Sequence, residues 1–410
     1  MNSTAIRVKN KNKLIVKIWV LILIAMSTWI KIFSLEGAMN GFLVGVMGLT
    51  AGLLVFDYFS NNKLTKVDFL TWLLIFVLYL CANRHPERWR PSTFYYTCMF
   101  LITFLYFVRL LYQDKIDIRI YIKVLRFLIF AFTITIIIQE ICVISGIEPI
   151  NYTQSADSFL YETKMRANGL ASEPSYVSYE IMILMASYIL MQQEIDGAKY
   201  NFLKKVKSDK IIWLCYFWSM ISTGSTTGVV LVGVTLIPLI TKKNILFVVI
   251  FVIIALLFIM AYQENSLERA IDFIPALFSM DLDKMIAADD SAAWRVAPLI
   301  IIFRFYNFLS LDGIFGYGID FSKDLCAQWL NVTDEYVPTG GFLSMIMDYG
   351  FFPFAILISI MIKCSYTKNN IIYAIAFTIA MITSPLNSQL FWLTLMFMAT
   401  NKYFLRKSTL

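Results

Sequence analysis

The chain has 410 residues, of which 59% are apolar and 15% charged, with a mean hydropathy of +0.68, whereas soluble domains carry about 45–50% apolar and about 25% charged residues. A soluble globular enzyme is excluded. The 35 basic and 28 acidic residues leave a net charge of +7, spread over the connections between apolar runs, so no nucleic-acid footprint is present.

A hydrocarbon core about 30 Å thick takes roughly 20 residues of helix. About twelve apolar runs bounded by charged or turn residues follow one another: 14–35, 37–57, 68–82, 93–112, 121–146, 175–193, 211–223, 226–241, 244–262, 341–362, 370–384 and 387–404. They predict an all-α polytopic membrane protein with about 12 transmembrane helices, one integral membrane domain over residues 1–410. The first run follows Arg7, Lys9, Lys11 and Lys13 and is too long for a signal-peptide core, so it is expected to stay as an anchor. In the second, Gly41, Gly45, Gly48 and Gly52 share a helical face, and Gly224 and Gly228 repeat the spacing after Ser222; close helix packing is the expectation.

Lysine and arginine set the predicted orientation, because cytoplasmic loops retain positive charge. With both termini cytoplasmic, 22 of the 35 basic residues lie inside and ten outside. Three outer segments result, 83–92, 147–174 and 263–340. Within the last, Val296 to Leu309 is short and contains Arg304, and is read as an interfacial helix capped by Ser291.

Six cysteines lie far apart without metal-ligand spacing, and the single histidine, His85, rules out a histidine metal cluster. Arginine is then the residue to follow, since guanidinium groups grip phosphate through paired donors and stay charged. Arg84, Arg88 and Arg90 crowd the first outer loop, where they either meet a lipid-borne phosphate or pair with the long loop, whose five basic and twelve acidic residues give −7. Arg166 lies just before the sixth run, where Pro174 suits a first helical turn whose free N–H groups would favour an anion. Glu173 there is a base or a helix-terminus partner. Arg295 and Trp294 occupy the first turns of the interfacial helix, and Arg295 either clamps an anion or pairs with Asp289 or Asp290. Asp281 and Asp283 spell a D-x-D, a pattern that arises easily by chance in an acidic loop. Trp294 and Tyr176 are candidates for substrate contact, within the aromatic belt expected at membrane interfaces.

This layout resembles the O-antigen and capsular polysaccharide polymerases, which with the O-antigen ligases form a superfamily of C-type membrane glycosyltransferases. Four segments carry the resemblance: Arg166 to Ser175, Ser222 to Gly228, Ser291 to Arg295 followed by Gly313 to Gly318, and Thr339 to Pro353. The resemblance implies that Arg166 and Arg295 hold the pyrophosphate of an undecaprenyl-linked glycan, without metal or cofactor, and that one lipid-linked repeat unit is transferred onto another on the outer face of a bacterial cytoplasmic membrane. Membrane lipids and a chain-length regulator are the implied partners. Glu173 and Asp348 are the outer carboxylates available to activate the acceptor hydroxyl. Ligases carry a histidine where Thr339 and Gly340 stand here, which favours the polymerase. The alternatives are a ligase, a lipid-linked oligosaccharide flippase or transporter, for which Lys31, Glu140 and Glu180 are the few charges within runs, and a metal-dependent transferase using a lipid monophosphate.

Overall fold

The computed structural model describes residues 2–30, 34–35, 39–61, 64–150, 152–153, 166–224, 226–240, 245–246, 249–250, 253, 266–288, 290–330, 341–367, 371–382 and 384–407. The regular secondary structure of the described residues is helical apart from a two-residue antiparallel pair, Ser34–Leu35 with Met39–Asn40. Among the described residues, four helices are long and apolar enough to cross a membrane: α2 (Gly41–Asn61), α3 (Lys66–Arg84), α4 (Pro91–Tyr112) and α5 (Ile118–Ile144). Shorter apolar helices accompany them, including α8 (Lys210–Ser222), α16 (Phe351–Cys364) and α17 (Ile371–Ile382). Helix starts follow local chemistry. Thr65 and Asp68 form a reciprocal capping box on α3, and the Asp117 carboxylate accepts the Arg119 N–H at the head of α5.

Long-range bonds give the bundle two ends. The loop end carries Arg84, Leu170 and Phe351; the opposite, basic end carries Lys66, Lys115 and Lys402. Helix α1 (Asn2–Ser27) finishes at the loop end, where the Trp29 N–H reaches the Leu170 carbonyl at 2.8 Å. At the basic end, Lys402 of α18 (Gln389–Lys407) donates to the last carbonyls of α16, Ile362 and Lys363, at 2.7 and 2.8 Å. Helix α6 (Pro174–Asp196) runs through the centre, with every side chain from Val177 to Met191 buried. Its polar groups join neighbours. Ser178 meets Thr223, Ser187 accepts from Asn401, and Glu180 accepts from the Trp29 indole at 2.6 Å. Glu140 of α5 likewise accepts from the Trp218 indole at 2.9 Å. Lys31 lies outside the described residues.

Three details depart from the sequence expectations. Gly45, Gly48 and Gly52 face open space, since a Cβ on any of them would meet nothing within 4 Å; the glycine face of α2 packs on no described part of this chain. Gly228 does lie in a close contact, against Ser178, Met220 and Thr223. The 341–362 run is not one helix: a turn at Gly341–Leu343 leads into α15 (Ser344–Tyr349), and Gly350, at φ +90, breaks the chain before α16. The helix expected at the interface is α12 (Asp290–Phe305); it begins before Ser291, which therefore sits inside the first turn and not at the N-cap. Most of the 244–262 run lies outside the described residues.

Towards the basic end, Arg109 of α4 forms a buried cluster that joins α2, α3 and α4. Its guanidinium meets Asp57 at 2.5 Å and Asp68 at 2.9 Å, and lies 4.6 Å from the centre of the Tyr58 ring. Removing one partner of a buried pair costs about 3–5 kcal/mol, because the remaining charges stay desolvated. Arg109→Ala is expected to lower the melting temperature in detergent by roughly 5–10 °C. Differential scanning fluorimetry against wild type checks this, and an unchanged midpoint contradicts it.

Candidate functional site

The candidate residues collect at the loop end in two groups. The first is built on the short connection between α3 and α4. Pro86 opens a single 3₁₀ turn, Pro91 takes the first position of α4, and these rigid residues fan three arginines outward. Arg84 meets Asp312 at 2.6 Å, Arg88 pairs with Asp324 and lies 4.9 Å from the centre of the Phe321 ring, and Arg90 meets Asp320 at 3.1 Å. The three guanidinium groups thus clasp three carboxylates of the long loop. Each pair is about one-third exposed, so single bridges contribute about 0–1 kcal/mol each and the clasp acts as a network. A phosphate reaching these arginines competes with Asp312, Asp320 and Asp324 for them.

The clasped segment contains α13 (Leu311–Phe315) and α14 (Phe321–Leu330), and its backbone interlocks with α15. Tyr317 and Gly318 donate their N–H groups to the Met347 and Asp348 carbonyls, at 2.8 and 3.2 Å. Gly316 and Gly350, at φ +91 and +90, face each other across this junction. A Cβ on Gly350 would stand 2.3 Å from the Ile314 carbonyl oxygen, and one on Gly316 2.4 Å from that of Asp348. Gly146 has a similar conformation, φ +68, with nothing within 4 Å, and so serves as a control. Gly350→Ala is expected to lower the melting temperature clearly more than Gly146→Ala. Equal shifts would show that conformation alone, and not the interlock, makes the glycine necessary.

Asp348 is buried behind this junction, before the apolar helix α16 begins. Its carboxylate accepts the Ser322 N–H, at the start of α14, at 2.8 Å. Burial pushes its pKa up to about 8, the nearby Asp320 and Asp324 carboxylates push the same way, and the Ser322 N–H pulls back only in part. Asp348 lines a cavity of about 40 Å³ with Thr93, Thr97, Ser322, Ser344, Lys323 and Asn387. That space holds a water or a single hydroxyl, not a sugar ring. Asp320 closes one side, in a left-handed conformation that aspartate tolerates (φ +60).

The second group surrounds the head of α6. Arg166 is half-buried and starts a loop fixed on three sides. The Ala167 N–H donates to the Ser222 carbonyl at 3.1 Å, the Asn168 side chain accepts from Gln139 at 2.8 Å, and the Gly169 N–H donates to the Gln139 side chain at 2.8 Å. Pro174 opens α6 and Glu173 stands at its N-cap, as the sequence predicts. The Glu173 carboxylate caps no backbone N–H and accepts from the Ser175 hydroxyl at 3.3 Å. Tyr176 stacks on Trp29 with ring centres 5.6 Å apart.

Arg295 and Trp294 lie on α12, but their side chains are outside the described set, as are Lys164, Asp289, Thr339 and Gly340. Asp281 of the D-x-D accepts the Lys284 N–H at 3.3 Å and pairs with the Lys284 ammonium at 3.4 Å, the arrangement of a helix start. Among the described residues, no group of three His, Cys, Asp or Glu side chains is placed to hold a metal ion. A larger open groove, about 490 Å³, lies at the basic end, lined by residues including Asp114, Asp117, Glu194 and Phe404. It has neither the arginines nor the long connections of the loop end.

Sequence reasoning missed Thr93, Ser322 and Asn387 around Asp348, and Gln139 and Asn168 beneath the Arg166 loop. Only the complementary charge of the first and third outer segments hinted at the clasp. No family model matches the chain, and no curated protein and no solved structure is significantly similar to it.

Proposed function

We propose that this protein is a membrane polysaccharide polymerase, transferring an undecaprenyl-pyrophosphate-linked glycan onto a second lipid-linked repeat unit on the outer face of a bacterial cytoplasmic membrane. The loop end is the outer face in this reading. The acceptor hydroxyl oxygen attacks the anomeric carbon of the donor glycan, the bond from that carbon to the diphosphate oxygen breaks, and undecaprenyl diphosphate leaves. Arg166, with Arg295, neutralises the charge that develops on the leaving diphosphate, where donors held in place stabilise the transition state more than the ground state. Asp348 takes the proton of the acceptor hydroxyl.

The observation that carries this reading is the Asp348 carboxyl, buried yet facing a hydroxyl-lined cavity, with burial raising its pKa to about 8, a range that suits a general base for an alcohol. The cavity has room for the reacting hydroxyl while the rest of the acceptor stays outside it. Purified protein incubated with a synthetic undecaprenyl-pyrophosphate repeat unit, without nucleotide or added metal, is expected to yield oligomers by mass spectrometry. Unchanged substrate under these conditions overturns the proposal. Polymer that accumulates in cells lacking the protein, with none reaching its final acceptor, identifies a ligase. Movement of substrate between leaflets without bond formation identifies a flippase.

A further inference from the structure

The turn between α12 and α13 exposes large apolar side chains on a rigid frame: Leu309 is 95% exposed, Leu311 67% and Phe308 54%. The turn is hydrogen-bonded internally. The Asn307 side chain accepts the Leu309 N–H at 3.0 Å, the Ser310 hydroxyl donates to the Asn307 carbonyl at 2.9 Å, and the same hydroxyl accepts the Gly313 N–H at 2.8 Å.

The depth of the turn follows from its partners. Arg84, the last residue of the membrane-crossing helix α3, donates to the Leu311 carbonyl at 2.9 Å while holding Asp312, so the turn is pinned level with the end of a span. On the other side, the Phe308 ring lies 5.8 Å from that of Phe351, and Phe315 lies 6.5 Å from Phe352, the first two residues of the apolar helix α16. Phe351 and Phe352 are themselves exposed, so the apolar surface of the helix continues without interruption onto the turn. Arg84, His85 and Asp312 cluster beside it, and charged groups next to an exposed apolar surface are the usual arrangement at a membrane interface.

We infer that Phe308, Leu309 and Leu311 insert among the acyl chains of the leaflet at the loop end and anchor the long loop to the bilayer. The anchor holds Asp312 against Arg84, and with it the clasped segment that borders the Asp348 cavity. The inference concerns the lipid surface alone and is independent of the sugar chemistry.

The test uses full-length protein in phosphatidylcholine vesicles, carrying Leu309→Cys or, as a water-facing reference, Lys284→Cys, each labelled with an environment-sensitive fluorophore. Wild-type protein labelled in parallel corrects for native thiols. The label at position 309 is expected to be quenched at least threefold more strongly by a shallow spin-labelled lipid than the label at 284, and to resist aqueous iodide. Iodide quenching equal at the two positions overturns the inference. So does resistance to both quenchers at 309, which would mean that protein, such as a second copy of this chain, covers the turn.

Discussion

Arg166→Ala is expected to lower the rate of repeat-unit transfer by roughly 100- to 1,000-fold, the scale on which a single fixed donor to a developing oxyanion acts. The loop beyond Arg166 is held by backbone bonds to Ser222 and Trp29 and by the Gln139 side chain. In folded variant protein, checked by melting temperature and elution volume, polymer should collapse to single repeat units. Arg166→Lys keeps the charge but not the paired, planar donors, and should recover only a small part of the lost rate. A normal polymer ladder from Arg166→Ala, with the protein folded, removes Arg166 from the reaction. Arg295→Ala tests the second guanidinium in the same way.

Asp348→Asn is expected to cost about 100- to 10,000-fold in rate, the range over which general bases act. Asparagine retains an oxygen for the Ser322 N–H but cannot take a proton. Wild-type rate should rise with pH and level off above about 8, where Asp348 ionises, while the residual rate of the variant shows no such step. Stability moves the other way. The folded pKa, about 8, lies above the ordinary value of 3.8, so the stabilising effect of the buried, protonated carboxyl is complete below about pH 4 and is lost as pH rises through about 8. Wild type should thus lose melting temperature relative to Asp348→Asn across that window. A rate step that persists in the variant assigns the proton transfer to another group, with Glu173 the next candidate.

Several local features are legible in the sequence because their causes are local. Pro174 opens α6 since its missing N–H is one the first turn leaves unbonded. The capping box at Thr65 and Asp68 needs only residues three apart. The clasp is different in kind: Arg88 and Asp324 lie 236 residues apart, and charge counts show only that the two loops are complementary, not which carboxylate meets which arginine. Ser291 shows the weakness of a cap read from residue type, since helical conformation already includes Asp290. The glycine face of α2 shows the same for packing motifs: small residues permit close approach, but α2 presents them to open space.

The lengths of the apolar runs by themselves determined that this is a helical membrane protein, because lipid offers no partner to a backbone N–H or carbonyl and each crossing segment must satisfy its own. They could not rank the helices. About one-third of the span in α2 is buried in the protein, against 72% of that in α4, since apolar side chains are equally at home in lipid and in a core. Only the tertiary structure decided that α6 occupies the centre, that Gly316 meets Gly350, and that Asp348 is withdrawn from solvent beside two other carboxylates. Those outcomes depend on contacts between distant segments, and the pKa of a carboxyl is set by what surrounds it in space, which its neighbours in sequence do not specify.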